Sequence, residues 1–269
     1  MYLPYWGFSL PPFENVVDLR FFYESAYHSE ALLRLTYTVS AHKGAAAMVG
    51  DIGCGKTLIC KAYAERLPRD KYEVKFIPQL PSSTEDETLQ EMLYVFGEEI
   101  PAGVSKSAML RILNEKLINI GKNGKHTIIV IDEAHLMKTP SLEMVRLFLN
   151  YQYNNSFLCT IILAGQPELK ENIRRMPQLE QRISINYHLK PLDAEGVEAY
   201  IKFRLMKAGC SKQVFNEDTY GKILHYSSGV PRKVNNICDM SLLLGFSAKK
   251  ETISSDIIDK VAEEMLTRI

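Results

Sequence analysis

No apolar run in this chain approaches the ~20 residues that a bilayer-spanning helix needs. The longest uninterrupted stretches, such as Ile128–Ile131 and Ile161–Ala164, are of strand length. Residues Met1 to Phe13 lack a positively charged start and a small-residue cleavage site, so a secretory signal is not expected. An excess of either charge is missing too, since 32 Lys+Arg balance 32 Asp+Glu. That excludes a surface built as a whole for nucleic acid or acidic lipid, and leaves room only for a local basic patch. Cysteine is scarce: Cys54, Cys60, Cys159, Cys210 and Cys238 are odd in number and form no CxxC. Reduced thiols in a cytoplasmic protein fit that spacing better than a disulfide frame or a zinc site. The six histidines are scattered, and none reads as a metal ligand. Internal repeats and low-complexity segments are absent as well. What remains is an ordinary globular composition, 46% hydrophobic and 24% charged, in a chain of 269 residues. That length suits one large domain or two small ones.

The opening segment, residues 1–24, is dense in proline and aromatics (Pro4, Tyr5, Trp6, Phe8, Pro11, Pro12, Phe13, Phe21, Phe22, Tyr23). The prolines predict no regular helix, and the aromatics predict an arm packed on an apolar surface. The surface expected is that of the following domain, with Phe21, Phe22 and Tyr23 near the adenine end of a nucleotide site. From Ser25 to His42 the pattern is helical. Short apolar runs then alternate with amphipathic stretches: Ala45–Val49, Val74–Ile77, Thr127–Ile131, Leu158–Leu163 and Ile183–His188 are separated by helical patterns near 56–67, 84–96, 106–120 and 141–151. Thr84 and Glu87 have capping-box spacing. Residues 81–101 carry six acidic residues and no Lys or Arg, which reads as a solvated helix face. Buried strands separated by helices predict an α/β domain with a parallel sheet covered on both faces, over residues 25–191. From 192 to 269 the strands stop. Four helical patterns follow, near 193–208, 216–227, 231–248 and 254–267.

Gly50-Asp51-Ile52-Gly53-Cys54-Gly55-Lys56-Thr57 matches G-x-x-x-x-G-K-[ST], preceded by an apolar strand and opening a helix. Glycines let backbone amides point inward and cradle phosphate at a helix N-terminus. Lys56 then reaches the β- and γ-phosphates of ATP, and the Thr57 hydroxyl ligates Mg²⁺. The nucleotide-binding set runs from Gly50 through Leu58. Cys54 within it reads as incidental to binding, though its thiol could make the site sensitive to thiol reagents.

Ile128-Ile129-Val130-Ile131 ends in Asp132-Glu133. Adjacent acids at the end of a buried strand call for a partner cation. In P-loop enzymes the first acid holds Mg²⁺ through water and the second polarises the attacking water, which assigns Asp132 to metal and Glu133 to catalysis. Asp132-Glu133-Ala134-His135 also spells a helicase box. Two tandem domains are required for that, and only one fits here. A small kinase would leave the helical C-terminal quarter without a purpose. Gln166, after the next strand, is the candidate polar contact to the γ-phosphate or the water. Among Arg174, Arg175 and Arg182, the last is placed best to offer a guanidinium to a neighbouring subunit. Gly229-Val230-Pro231-Arg232 opens a helix, and a cation in a first turn opposes the helix dipole, so Arg232 is expected to answer to an external anion.

Together these residues resemble an AAA+ ATPase of the P-loop NTPase class. The finer resemblance is to the ATPase domain of the ExeA family, also called general secretion pathway protein A. It rests on Met1-Tyr2-Leu3-Pro4-Tyr5-Trp6-Gly7-Phe8 with Pro12-Phe13, Arg20-Phe21-Phe22 with His28, Gly165-Gln166-Pro167-Glu168-Leu169, Leu179-Glu180-Gln181-Arg182-Ile183 and Leu189-Lys190-Pro191-Leu192. The resemblance implies a five-stranded sheet of order 5-1-4-3-2, a helical lid in which Arg232 senses the γ-phosphate, and work as a ring or other homo-oligomer. It implies nucleotide-driven work on an envelope secretion or pilus component, peripheral to the inner membrane through partners. Secretion-type members usually continue into a membrane helix and a peptidoglycan-binding domain. These residues contain neither, which leaves a free-standing member or the ATPase part of a longer one. Similar free-standing ATPases accompany transposases and bind DNA, and residues 170–212 hold nine Lys/Arg against five Asp/Glu. That bias is too slight for a DNA track. A switch that binds ATP without turnover is disfavoured by the presence of both Glu133 and Arg182.

Overall fold

Strands form in this chain where apolar runs can be buried from both sides. The computed structural model describes residues 2–80, 84–153, 156–210 and 212–266. In chain order the strands are β1 (Ala45–Gly50), β2 (Tyr72–Ile77), β3 (His126–Ile131), the short pair β4 (Gln152–Tyr153) and β5 (Ser156–Phe157), β6 (Cys159–Gly165) and β7 (Ile183–Leu189). The helices are α1 (Leu3–Trp6), α2 (Ala26–Ser40), α3 (Lys56–Arg66), α4 (Glu85–Val95), α5 (Lys106–Lys122), α6 (Thr139–Phe148), α7 (Glu168–Arg174), α8 (Pro177–Glu180), α9 (Ala194–Lys207), α10 (Glu217–Ser227), α11 (Pro231–Ser247) and α12 (Ser255–Leu266). Residue 267, expected in the last helix, lies outside the described residues. The chain forms two compact units. An α/β unit comprises Glu30–Gly50 and Ile59–Leu189, and a helical unit comprises Met1–Ser29, Asp51–Leu58 and Lys190–Ile269.

In the α/β unit β1, β3 and β6 are buried at every position. Continuous apolar strands of this kind occupy the middle of a parallel sheet with helices on both faces. The sheet order is β2-β3-β6-β1-β7, all parallel. Counted over its five strands alone and read from the β7 edge, this is the expected 5-1-4-3-2. At its edge β7 alternates buried and exposed residues, as a strand with one wet face must. Register aligns the strand ends: Val49 lies beside Gly165, and Ile131 beside Leu163. The core beneath includes Leu89, Met92, Leu113, Phe148 and Leu169. The capping box forms as its spacing predicts, with the Thr84 hydroxyl accepting from Glu87 N and the Glu87 carboxylate accepting from Thr84 N.

The helical unit corrects the expectation for residues 1–24. Trp6, Phe8, Phe13 and Phe21 share one core with Val197, Ile201, Phe215, Ile223, Val234 and Ile258. Trp6 Nε1 donates to the Leu242 carbonyl at 3.0 Å, and Phe13 meets Phe215 edge-on with centroids 6.1 Å apart. Tyr23 packs against Tyr200 and Phe203. The aromatics are the filling of this helical core, because the helices leave an apolar face that their own side chains do not cover. Arg204 fastens the segment from the other side. Its buried guanidinium donates to the carbonyls of Pro12 and Glu14 and to the Tyr200 hydroxyl, and it stacks over Phe21 at 5.0 Å. The prolines do not prevent one helical turn, α1, since Pro4 sits at its start where no amide is needed.

Trp6→Ala removes a buried ring and orphans a carbonyl, so chemical denaturation should show a loss of ~3–5 kcal/mol. Val16→Ala, at a side chain 68% exposed, should change stability by less than ~0.5 kcal/mol.

Candidate active site

β1 ends at Gly50, where a Cβ would stand 2.8 Å from the Leu189 carbonyl of β7. The loop that follows contains Gly53 at φ +86° and Gly55 at φ +95°, left-handed conformations that favour glycine. Cys54 N donates to Asp51 O at 3.3 Å, which closes the turn. Asp51 and Ile52 are exposed, and Lys56 is buried with Nζ donating to the Asp51 carbonyl at 3.0 Å. Thr57 and Leu58 are half-buried in the first turn of α3. That turn carries no acidic residue, so nothing on it opposes an anion at the positive end of the helix. Burial, with the Asp51 carboxylate beside it, pushes the Cys54 thiol above its usual range. The expected sensitivity to thiol reagents is therefore not supported: Cys54 is 1% exposed and held as the unreactive thiol.

Two further groups of the helical unit close on this loop. Arg232 N donates to the Gly53 carbonyl at 3.3 Å, and a Cβ on Gly53 would stand 2.6 Å from Arg232 Cβ. Gly53 is thus required twice, for its conformation and for this approach. The approach is set by Gly229, at φ +72°, where a Cβ would lie 2.0 Å from Leu192 O. Sequence reasoning gave His28 no role beyond the resemblance. Its Nδ1 meets Ser25 Oγ at 2.8 Å, it hydrogen-bonds the Cys54 backbone, and Phe22 packs edge-on at 5.6 Å. Burial pushes its pKa down to about 4. The signal was Phe22 with His28, two residues whose meaning appears only once they fold onto the loop.

In the α/β unit Asp132 and Glu133 follow β3 directly. Asp132 is buried, and its Oδ1 accepts from Glu133 N at 2.9 Å. Glu133 has φ +48°, left-handed for a residue that is not glycine, and its side chain is 43% exposed. A conformation of this kind costs backbone free energy and persists only where the surrounding structure holds it. Gln166 follows β6 at the same sheet edge, with Nε2 2.7 Å from His135 Nε2. His135 lies in a single 3-10 turn, Ala134–Leu136, and its Nδ1 faces Glu133 Oε2 at 3.5 Å. Gly165 makes room, since a Cβ there would stand 2.9 Å from His135 N. Asp132, Glu133 and Gln166 are therefore brought together. Arg182 is not with them. It precedes Ile183, which pairs with Ala45 at the amino edge of the sheet, and its Nη1 donates to Leu149 O at 2.9 Å. Arg174 and Arg175 are exposed at the end of α7.

A parallel sheet of this order, a glycine loop after β1 and an acid pair after β3 define a nucleoside-triphosphatase of the P-loop class. The chain belongs to the AAA domain family, whose model matches residues 39–173. It is 33% identical over 272 positions to General secretion pathway protein A of Aeromonas hydrophila, covering 98% of this chain and 48% of that protein. The chain thus spans about half the length of that relative. Its fold is similar to that of Cdc6p from Pyrobaculum aerophilum (TM-score 0.72, 15% identity, 94% of this chain and 70% of that one). It is also similar to the Aeropyrum pernix ORC2 protein in its ADPNP–ADP complexes (TM-score 0.69, 14% identity, 96% and 72%).

His28 yields a pH prediction. The unfolded chain takes up a proton below the ordinary value of 6.5 that the folded chain refuses until about 4. Stability should therefore fall as pH drops through that window. His126, pushed down to about 4 by burial and by His42, acts in the same direction. His28→Gln should flatten the dependence in urea titrations across the window.

Proposed function

We propose that the chain binds ATP with Mg²⁺ and hydrolyses it, and that turnover rearranges a homo-oligomer, a ring or a filament, serving an envelope secretion or pilus assembly. The observation that carries this reading is the loop from Gly50 to Thr57: two left-handed glycines, a buried Lys56 turned back over the loop, and an acid-free helix N-terminus. Inward amides of Gly50, Asp51, Ile52, Gly53 and Gly55 would hold phosphate oxygens, Cys54 would hold the loop's shape through the turn its amide closes on Asp51, and Leu58 continues the first helical turn beneath them. Lys56 supplies the charge that offsets the β- and γ-phosphates. The oxygen donors Thr57 and Asp132 suit a hard cation. When bound, Mg²⁺ would neutralise charge that develops on the phosphate oxygens.

Glu133 is the base that orients the attacking water and accepts its proton. Gln166 contacts the γ-phosphate or that water. Arg232, joined to Gly53 through its backbone, reads the γ-phosphate from the helical unit. Arg182 stands at the sheet edge opposite Glu133, so its charge serves the site of a neighbouring subunit. The pathway rests on the name of the 33% identical relative. Among the described residues no helix is long and apolar enough to cross a membrane, and contact with the envelope through a partner is part of the proposal. The alternative reading, a transposition-associated DNA-binding regulator, has no specific support in a chain of zero net charge.

Lys56→Ala should abolish binding of a fluorescent ATP analogue, and wild-type affinity would refute the loop assignment. Glu133→Gln should bind ATP and lose turnover. Arg182→Ala should bind normally and hydrolyse ~10³–10⁵-fold more slowly. Co-expressing Arg182→Ala with Glu133→Gln should restore activity, because one subunit keeps the base and its neighbour supplies the arginine. Proven mixed oligomers without activity would exclude an arginine acting between subunits.

A further inference from the structure

We propose that His135 is a positioning residue that ties Gln166 to Glu133, so that the contact to the γ-phosphate and the base move as one unit. The inference deepens the ATPase reading and rests on it. Its observations all lie within the α/β unit. The imidazole stands between the two side chains, with Nε2 2.7 Å from Gln166 Nε2 and Nδ1 3.5 Å from Glu133 Oε2. The side chain is 9% exposed, and Nδ1 is buried with no hydrogen-bond partner. A buried polar atom of this kind costs free energy until it finds a partner. The Glu133 carboxylate it faces can serve as that partner, and at 43% exposure it has room to turn.

The tautomer follows from the neighbours. The Gln166 amide nitrogen, which can only donate, faces Nε2, so Nε2 accepts and the ring proton lies on Nδ1, toward Glu133. Gln166 must then donate through its amide nitrogen. This fixes which way the amide faces and keeps its carbonyl oxygen turned away from the ring, available to water. Without the imidazole the amide is free to flip, and Glu133 loses the group that limits its swing. The backbone supports the arrangement: Asn172 Nδ2 donates to the His135 carbonyl at 3.3 Å, and Gly165 admits the turn against the end of β6. Neither feature gives the imidazole its orientation. The polar contacts of the ring are to the two flanking side chains.

The test compares steady-state ATP hydrolysis and fluorescent ATP-analogue binding in His135→Ala, Gln166→Ala and the double variant, with Glu133→Gln as reference. Loss of an orienting partner typically costs about 10–100-fold in activity. His135→Ala should show that loss in kcat, with KM and analogue binding close to wild type. The double variant should be no slower than the slower single one, since both substitutions break one link. His135→Gln keeps a polar end toward Gln166 and should recover part of kcat. His135→Phe keeps the bulk alone and should recover none. Wild-type kcat in His135→Ala, or single effects that multiply in the double variant, would overturn the link. If His135→Ala does not fold, the Gln and Phe variants decide: equal activity in both overturns the proposal, and activity only with Gln supports it. Turnover by Glu133→Gln at the wild-type rate would instead overturn the ATPase reading of this site.

Discussion

The α/β unit depends on three neighbouring strands, β1, β3 and β6, that are buried along their whole length. Their amides and carbonyls, shut off from water, must be satisfied within the sheet, so the ladders are obligatory and the interior has no room for a charged side chain. Chemistry is thereby forced to the strand ends. Asp132 and Glu133 are the first two residues after β3, and Gln166 is the first after β6. Parallel register then brings those ends to one edge, because Ile131 lies beside Leu163. The same register carries Arg182 to the opposite edge, before Ile183. No local property of Arg182 distinguishes it. Its separation from Glu133 is a consequence of strand direction.

The helical unit is organised by a different constraint. Its helices bury apolar residues on their inner faces and leave a surface that Trp6, Phe8, Phe13 and Phe21 complete. Arg204 is the joint. A buried guanidinium is tolerable only when its donors are used, and here they are used on two backbone carbonyls and a hydroxyl of the same unit. The glycine loop belongs to this unit as well, through Arg232 and His28. A loop that bends through left-handed glycines has few side chains of its own with which to hold its shape. It takes that support from a helix start on one side and a buried imidazole on the other.

At the strand ends of the α/β unit the imidazole of His135 stands between Gln166 and Glu133. Glu133 is strained in its backbone and open at its side chain, a combination that leaves a carboxylate poised but loosely directed. Gln166 is polar at both ends of its amide and needs a neighbour to choose between them. A single imidazole meets both needs. This gives the fourth residue of Asp132-Glu133-Ala134-His135 a purpose that needs no second tandem domain.

From the sequence by itself the glycine loop, the acid pair, the five strands, the capping box of α4 and the four C-terminal helices were legible. Each is written in local spacing, since a strand or a helix shows its period within a few turns of chain and the loop needs particular residues at fixed offsets. The resemblance added the strand order. The destination of residues 1–24 was not legible. Aromatic density says that a segment is buried, but not against what, and Trp6 meets Leu242 across 236 residues. The roles of His28, Arg204 and His135 were hidden for the same reason. Each is an ordinary polar residue until folding removes its water, and only the tertiary structure decides which partner replaces it.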